Sequence, residues 1–456
     1  MTRKAKPDLL NDPIARLLFR MTVPVMGGIV TLMLFNLVDA YFIGLLGTEQ
    51  LAAVTFTFPV TFTLISLSIG LGIGTSAVVG RLLGEKSYEL VKRRTTDAVL
   101  LAAMLSLVLT AAGYLTIDPL FAFLGANDDL MPYIHDYMSV WYLGTLFVIM
   151  PRAVSSALRA SGNTLVPGLV MIASGVVNGI LDPILIFGWG PIPAMGVQGA
   201  ALATLIAWML LTVGIFSLPD VRRDLLSFVK PRWQQVKESW QAIGHIALPA
   251  VVSSILTPVS AAMLTRIVSE FGHEAVASYG VGSRIESISL IIVFAMSMTL
   301  PPFVSQNLGA KQLDRVQRGV FGSFRFVLIW QSIVWCLLLL FQNPLVDAFS
   351  SNNEQLAANL HWFLWSVPIG LGMQGVIILA NSTMNALHEP MVALRLSIFR
   401  LFIFYVPICA LGAWLYGLYG LFVGAVIANL LMSGISWWTV KRHLNGLLAK
   451  QETANT

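Results

Sequence analysis

Long apolar segments alternate with short polar ones along almost the whole chain. Each apolar segment is long enough to cross about 30 Å of hydrocarbon as a helix. The pattern therefore predicts an all-α polytopic membrane protein with twelve transmembrane helices, which we number span 1 to span 12. The spans cover about residues 17–46, 50–80, 95–117, 130–158, 167–188, 195–217, 242–270, 276–306, 318–342, 357–386, 393–414 and 418–440.

The basic residues test this count, because cytoplasmic loops retain Lys and Arg whereas short translocated loops do not. They lie before span 1, in the loops after spans 2, 6 and 8, and after span 12, while the alternate loops contain neither residue. Both chain termini are therefore predicted to be cytoplasmic. The basic residues that carry this argument are Arg3, Lys4, Lys6, Arg16 and Arg20; Arg81 to Arg94; Arg222 to Lys237; Lys311, Arg315 and Arg318; and Lys441 and Arg442.

The longest polar connection divides the chain into two sets of six spans. We expect a first lobe at residues 1–217, a cytoplasmic linker at 218–241, a second lobe at 242–445 and a C-terminal tail at 446–456. Residues of the first half recur 225 positions later, which indicates parallel repeats with a substrate route between them. The matched pairs include Pro24 with Pro249, Gly47 with Gly272, Glu49 with Glu274, Ala52 with Ala277, Lys86 with Lys311 and Arg93 with Arg318.

The composition excludes an ordinary soluble domain, because 56% of the residues are hydrophobic and only 11% are charged. The net charge of +5 follows from the basic loops and does not indicate nucleic-acid binding. Cys336 and Cys409 lie inside apolar spans, which argues against a disulfide or a metal site. No catalytic motif of the HExxH, GxSxG or Walker A type occurs, so neither an enzyme nor a cofactor is expected. Gly70 to Gly74 lie within span 2, where small residues permit close helix packing.

Ionisable groups deep in the spans are the best guide to function, because each costs about 3 kcal/mol unless it faces a cavity or a partner. Asp39 in span 1 and Asp182 in span 5 both lie about 10 Å below the predicted outer surface, so one pocket can hold both. Asn36 and Asn178 place an amide on the same helical face as each acid. This set predicts a proton or Na⁺ site. The alternative is that each Asp hydrogen-bonds its neighbouring Asn and only ties helices together.

Two further features belong to the predicted helix interior. Glu286 in span 8 lies near Arg284, and we expect a structural ion pair there, with proton coupling as the alternative. Pro24 in span 1 removes a backbone hydrogen bond, which predicts a hinge that links protonation of Asp39 to the shape of the helix. A static kink is the alternative. The repeat places Leu264 at the position of Asp39, so the second half keeps the scaffold without that acid.

Short motifs within and between the spans are more specific than hydropathy. They are Thr22-Val-Pro24, Asn36-Leu-Val-Asp39-Ala-Tyr-Phe-Ile-Gly44, Gly47-Thr-Glu-Gln-Leu-Ala-Ala-Val54, Leu158-Arg-Ala-Ser-Gly-Asn163 before Pro167, Asn178-Gly-Ile-Leu-Asp-Pro183 and Asn385-Ala-Leu-His-Glu-Pro390. Over about residues 12–440 the chain resembles the MATE (multidrug and toxic compound extrusion) transporters, and more closely their DinF-like branch.

The resemblance implies two six-helix lobes that export organic, mainly cationic compounds in exchange for H⁺, with Na⁺ as the alternative coupling ion. Asp39 and Asp182 would be the coupling carboxylates, with Asn178 in support and Thr204 on span 6 as a further candidate. Na⁺, if used, would bind at Asp39, Asp182 and Asn178. The expected partners are small cationic or amphiphilic molecules and the lipid bilayer. The expected form is a monomer in the bacterial inner membrane.

Three other classes remain as alternatives. A lipid-linked oligosaccharide flippase of the same superfamily shares the architecture, but would need several basic residues in its central cleft for pyrophosphate. The main deep basic candidates in the sequence are Arg266 and Arg284, with Arg325 and Arg400 nearer the helix ends. A major facilitator is disfavoured because the loop after span 2 lacks that family's basic motif. A membrane enzyme is disfavoured by the lack of a catalytic constellation.

Overall fold

The computed structural model describes residues 7–350 and 353–455, which fold almost entirely into helices. Besides helices, this part of the chain contains one isolated antiparallel bridge, between Trp189 and Ile192. The all-α polytopic membrane fold predicted from hydropathy is confirmed. The residues of the predicted N-terminal basic segment that lie outside the described residues are Arg3, Lys4 and Lys6.

The first of two compact units comprises residues 19–251 together with those up to Leu9. It contains predicted spans 1 to 6 and the beginning of span 7. Two helices far too short to cross a membrane occupy polar connections. The helices are α1 (Ile14–Leu46), α2 (Thr48–Gly84), α3 (Tyr88–Leu115), α4 (Ile117–Phe123), α5 (Met131–Ala160), α6 (Leu165–Phe187), α7 (Gly196–Ser217), α8 (Pro219–Asp224) and α9 (Trp233–Ser269).

The second unit comprises residues 252–456 together with Leu10–Leu18. It contains the rest of span 7 and spans 8 to 12. The helices after α9 are α10 (His273–Ser289), α11 (Ile291–Gly309), α12 (Leu313–Leu340), α13 (Gln342–Ser350), α14 (Glu354–Ser366), α15 (Leu371–Ala386), α16 (Pro390–Ile398) and α17 (Val406–Asn455).

Three predicted spans of the second unit are not uniform helices. Span 8 is divided at Leu290 into α10 and α11. Span 10 narrows to a 3₁₀ turn at Val367–Gly370, where Pro368 cannot donate an α-helical hydrogen bond. Span 11 widens to a π-helical segment at Phe399–Tyr405 between α16 and α17. Such local departures from α geometry are not marked by hydropathy, because the side chains on either side are equally apolar.

Eleven helical stretches of the described residues are long and apolar enough to cross a membrane. The last of them, Pro390–Thr453, holds predicted spans 11 and 12 together. A break in the helical backbone at Tyr416 and Gly417 separates the two, and the φ of 64° at Gly417 is one that glycine adopts easily. The twelve predicted spans therefore correspond to eleven counted stretches.

The internal repeat is visible in the backbone. The end of α2 and the end of α11 both close with a Schellman motif, in which a lysine adopts a left-handed conformation, Lys86 with φ 57° and Lys311 with φ 58°. The same closure ends α5 and α15, with Gly162 and His388 at positive φ. Since the two lysines are 225 positions apart, the offset read from the sequence is confirmed at the level of main-chain geometry.

Within the first unit, α5 packs against α2, α3 and α7 and so forms the centre of the unit. Gly70 and Gly74 of α2 face α9, where an added Cβ would lie 2.8 Å from the Ala247 carbonyl oxygen and 2.6 Å from the Ile243 carbonyl oxygen respectively. Any side chain at these glycines would therefore collide with main chain. The predicted role of the glycines in close helix packing is confirmed.

The first part of α9 is fixed to α3 by a buried polar cluster around Asp97. Arg93 Nη2 lies 2.9 Å from Asp97 Oδ1, and the Ser239 hydroxyl donates to the other carboxyl oxygen. Trp240 Nε1 donates to the Asp97 main-chain oxygen at 2.9 Å. These contacts hold the beginning of α9 in the first unit, and the boundary between units falls at Val251, inside this helix. The predicted domain limits at residues 218 and 242 stay a prediction.

Candidate functional site

A seam of small residues sets the register between α1 and α6. Phe35 of α1 lies over two glycines of α6: an added Cβ at Gly175 or Gly179 would lie 2.2 Å from the Phe35 ring. Asp39 follows Phe35 by one helical turn, and Asp182 follows Gly179 by three residues, so both acids belong to the faces that meet. The glycines thus bring α1 close enough for its carboxyl to approach that of α6.

The structure brings the two predicted coupling acids together in the first unit. Asp182 is fully buried and Asp39 is half-buried. The two carboxyls are near enough to interact electrostatically. In a low-dielectric interior two neighbouring negative charges repel strongly, so the pair favours a state with fewer charges or with a bound cation.

Asn178 links Asp182 to the neighbouring helix. Its Nδ2 donates to Asp182 Oδ1 at 3.1 Å and lies 3.3 Å from Thr204 Oγ1 of α7. The Thr204 hydroxyl in turn donates to the Ala200 carbonyl oxygen at 3.1 Å. The sequence left the register of Thr204 open because of the loop before span 6. In the structure, its hydroxyl belongs to the same hydrogen-bonded group as Asp182.

One oxygen of each carboxyl has no hydrogen-bond partner among the described residues: Asp39 Oδ1 and Asp182 Oδ2 are both buried. An unsatisfied buried oxygen is costly, and an unsatisfied buried charge more so. A proton on the carboxyl, or a cation between the two, would remove this cost. The arrangement can therefore exchange one positively charged species for another.

Tyr137 of α5 is a site residue that sequence reasoning missed. Its side chain is buried, and its phenol lies within electrostatic range of both Asp39 and Asp182. The tyrosine hydroxyl can donate a hydrogen bond to a carboxylate, and the face of the ring can bind a cation. Nothing in the sequence of span 4 separates this tyrosine from neighbouring aromatic residues that face lipid or apolar core.

Asn36 does not join the site in the way the sequence predicted. It is exposed, and the structure shows no hydrogen bond from it to Asp39. The reason is the packing of α1: Phe35 faces α6, and its successor is rotated about 100° away around the helix. Asp39 therefore lacks the amide support that Asn178 gives to Asp182.

Pro24 lies inside α1, which runs through it as one continuous helix. Its carbonyl group lies against α6, where an added Cβ at Gly168 would be 2.5 Å from the Pro24 oxygen. The main chains of the two helices are thus in close contact at the proline. The role of Pro24 as a hinge stays a prediction.

The predicted ion pair between Glu286 and Arg284 is corrected by the structure. Arg284 is exposed and forms no ion pair with Glu286, because residues two apart on a helix do not face each other. Instead, Gln374 Nε2 donates to Glu286 Oε1 at 2.9 Å. The charged neighbour is Arg400, in the π-helical segment, whose guanidinium also lies 5.6 Å from the Tyr405 ring centre. Glu286 is therefore part of a polar cluster confined to the second unit.

Comparisons with known proteins agree with this organisation. The sequence profile of the MatE family matches residues 24–184 and again 249–411, once in each half. The FAD transporter of Shewanella oneidensis is 37% identical over 439 residues, which cover 96% of this chain and 97% of that protein. The multidrug export protein MepA of Staphylococcus aureus is 26% identical over 429 residues, 92% of each chain.

Solved structures show the same fold. The Vibrio cholerae MATE transporter VcmN in the bent form superposes with a TM-score of 0.90 at 36% identity, over 95% of this chain and 98% of that one. An outward-facing MATE family transporter of the MOP superfamily has a TM-score of 0.90 at 23% identity, with 98% and 100% covered. The two-lobe all-helical fold, the repeated profile match and the relatives together identify the chain as a member of the MatE family, the MATE transporters.

Proposed function

We propose that the protein is a secondary active antiporter that exports organic, mainly cationic compounds in exchange for H⁺, and that Asp39 and Asp182 couple the two fluxes. The observation that carries this proposal is the pair of neighbouring buried carboxyls, each with one unpartnered oxygen. Such a pair is costly in the charged state and binds either protons or a cation, but not both at once.

The exchange follows from this competition. When both carboxyls are charged, a cationic substrate is held by them and by the ring of Tyr137. Protonation removes the charge, so the substrate loses its main attraction and is released. Because Pro24 packs on α6 through its carbonyl and lacks one helical hydrogen bond, α1 is the element that changes shape with the charge state of Asp39.

H⁺ is favoured over Na⁺ by the number of oxygen ligands. Na⁺ needs several oxygens in a fixed cage, whereas a proton needs one carboxyl that accepts it. Thr204 donates its hydroxyl proton to a main-chain oxygen, and Asn36, which would supply an amide oxygen, is exposed. Na⁺ at Asp39, Asp182 and Asn178 is therefore the weaker alternative.

A second candidate function is export of a flavin nucleotide, and one specific observation favours it. The relative named FAD transporter is 37% identical and is matched over nearly its full length, whereas the relative named multidrug export protein is 26% identical. A dinucleotide is an anion and needs positive groups in the protein. Both candidates use the same coupling acids and differ in the substrate site.

The proposed setting is the bacterial inner membrane, with both termini cytoplasmic and the chain acting as a monomer. The distribution of Lys and Arg supports this orientation.

The test is transport by the purified protein in liposomes, under separately imposed pH and Na⁺ gradients. Ethidium reports the cationic function and FAD, by its fluorescence, the second candidate. We expect ethidium transport driven by the pH gradient, abolished in Asp39→Asn and unchanged in the exposed-acid control Asp118→Asn. Transport driven by Na⁺ alone would exclude the proton version, and transport of FAD without ethidium would select the second candidate.

A further inference from the structure

Two arginines lie on one face of α5, the central helix of the first unit. Arg152 and Arg159 are seven residues apart, about two helical turns. Arg159 is buried with 8% of its surface exposed, and Arg152 is half-buried. Arg159 Nη2 donates to Ser156 Oγ at 2.7 Å, so its guanidinium is directed back along the helix toward Arg152. Neither residue belongs to the candidate coupling site. That site includes Tyr137, which lies near the beginning of α5.

These two positive charges have no acidic partner in the part of the chain that the structure describes. Among the described residues, no acidic side chain forms an ion pair with either arginine. Their hydrogen bonds are to hydroxyls: Arg159 to Ser156, and Arg152 Nε to Ser68 Oγ of α2 at 3.2 Å. The two guanidiniums are also close enough to repel each other. Each has further N–H donors that these contacts leave available.

A purely structural role explains only part of this arrangement. Arg159 lies in the last turn of α5, where the partial negative charge of the helix end favours a cation. Arg152 lies about 10 Å earlier along the helix, outside the reach of that effect. A second like charge placed beside the first, without an acid, raises the free energy of the empty protein. Such a cost is typical of a site that is completed by a ligand.

The facing surface of α2 carries small residues and packs closely against the two arginines. Gly72 lies opposite the pair, and an added Cβ there would be 2.8 Å from Ser156 Oγ and 3.2 Å from Arg152 Cγ. Ser76 follows Gly72 by one helical turn on the same face, at the level of Arg159. Its hydroxyl is buried and has no hydrogen-bond partner among the described residues.

We propose that Arg152 and Arg159 form a binding site for the phosphate groups of a small organic phosphate, with the Ser76 hydroxyl as an additional donor. Guanidinium groups bind phosphate oxygens in pairs and keep their charge when buried. Two guanidiniums in line suit a diphosphate, whose charge is spread over two phosphoryl groups. The site is formed by α2 and α5 of one unit, away from the carboxyls that would repel such an anion.

This inference deepens the second candidate function and rests on it for a role in transport, while binding itself is independent of coupling. Two sources share the chemistry: the phosphates of a soluble nucleotide, or the pyrophosphate of an isoprenoid lipid. A test must therefore contain both.

The experiment is equilibrium binding to purified protein in nanodiscs of uncharged lipid. The probes are radiolabelled ADP, farnesyl pyrophosphate and, as a phosphate-free control, adenosine. The variants are Arg152→Gln, Arg152→Lys and Arg159→Gln, with Arg81→Gln as the matched control at an exposed arginine of the same unit. We expect saturable ADP binding that weakens at least tenfold in both Gln variants and with rising salt. Arg152→Lys, which keeps the charge but not the paired geometry, should lose less, and Arg81→Gln should bind as the wild type does.

The binding results either support the phosphate site or overturn it. Arginine-dependent binding of farnesyl pyrophosphate alone supports the phosphate site and assigns it to a lipid source. Equal binding by wild type and the Gln variants, adenosine binding as tight as ADP, or no binding of either phosphate overturns the proposal. In Asp39→Asn, ADP should still bind normally. Because this variant tests coupling and the arginine variants test binding, failure of the transport proposal and failure of this one can be told apart.

Thermal stability gives a second readout that a structural role would move in the opposite direction. Because no acid depends on Arg152, Arg152→Gln should leave the melting temperature of the empty protein unchanged or raise it. ADP should raise the melting temperature of wild type and not of this variant. A large fall in stability of the empty variant would show that the arginine serves packing.

Discussion

Asn178 donates its amide hydrogen to Asp182 across one turn of α6, and this single bond orients the carboxyl so that its second oxygen is buried without a partner. The amide also lies within hydrogen-bond distance of Thr204 on α7, so three polar side chains from two helices form one chain. If the carboxyl served only to hold helices together, both of its oxygens would be expected to accept hydrogen bonds. The free oxygen is what makes the site a candidate for a proton or a cation.

Neutralising the coupling acids should uncouple transport. We expect Asp39→Asn to abolish gradient-driven efflux and Asp182→Asn to reduce it at least tenfold, because neither amide can exchange a proton. Expression and membrane insertion should match wild type, since an amide costs less in hydrocarbon than a charge. Efflux in liposomes with an imposed pH gradient measures this. Full transport by Asp39→Asn would remove the coupling role.

The hydrogen bond between Asn178 of α6 and Thr204 of α7 should affect the efficiency of coupling but should not be essential for it. Thr204→Val keeps the shape and removes the hydroxyl that lies 3.3 Å from Asn178. The loss of one hydrogen bond, worth about 1 kcal/mol, should reduce coupled efflux about fivefold. Thr204→Ser should retain most of it. If Thr204→Val transports as wild type does, the chain from Thr204 to Asp182 has no role in coupling.

The glycine seam between α1 and α6 should be sensitive to one methyl group. Gly179→Ala places a Cβ 2.2 Å from the Phe35 ring, so α1 must move away or the ring must turn. We expect destabilisation by about 2 kcal/mol and weaker coupling, because Asp39 is carried on the same face.

The matched control for this substitution is Gly214→Ala in α7, where an added Cβ meets nothing within 4 Å. It should stabilise the helix by about 0.5–1 kcal/mol. The double variant Gly179→Ala with Phe35→Leu should recover part of the lost stability in a thermal unfolding assay. An unaltered melting temperature in Gly179→Ala alone would contradict the packing argument.

In the second unit, Glu286 and Arg400 should behave as partners. The two residues attract each other without forming a direct ion pair, so Glu286→Gln or Arg400→Gln should each destabilise the protein by about 1–3 kcal/mol. The double variant should lose less than the two single losses combined, with a coupling energy of about 1–3 kcal/mol. Transport should fall only with stability. Additive losses would show that the two residues act separately, and a pure coupling defect in Glu286→Gln would make this acid part of ion exchange.

Lysines in the left-handed conformation at the ends of α2 and α11 carry backbone strain that glycine would not. Lys86→Gly and Lys311→Gly should each stabilise the protein by about 0.5–1 kcal/mol. Lys86→Ala, which keeps the Cβ, should not. A destabilised Lys86→Gly in thermal unfolding would show that the side chain contributes more than the strain costs.

Hydropathy and charge were sufficient to locate Asp39 and Asp182 at one depth, because burial of an acid in an apolar segment is visible in one dimension. They were not sufficient to predict which side chains meet across helices. Tyr137 has no distinguishing pattern in its span, and Phe35 acquires its role only by lying on glycines of α6. The register of a seam depends on which faces meet, and periodicity alone gives the faces of each helix but not their pairing.

Basic residues illustrate the same limit. Arg266 and Arg284 were the deep candidates by position in their spans, yet both are exposed in the structure. Arg152 and Arg159 lie near the end of span 4, where an arginine normally reaches the membrane surface. The packing of α5 in the centre of its unit instead buries Arg159 and half-buries Arg152. A helix surrounded on several sides by others cannot be recognised from its own sequence.

Leu264 occupies in the second unit the repeat position that Asp39 has in the first, and it is packed in an apolar core. Under the proposed exchange, one polypeptide therefore carries at most the two protons of Asp39 and Asp182 in each cycle. With one pH unit and 100 mV across the membrane, two protons exchanged for a monovalent cation release about 5 kcal/mol. The ratio of external to internal drug concentration that this cycle can sustain is then several-thousand-fold, about 4,000.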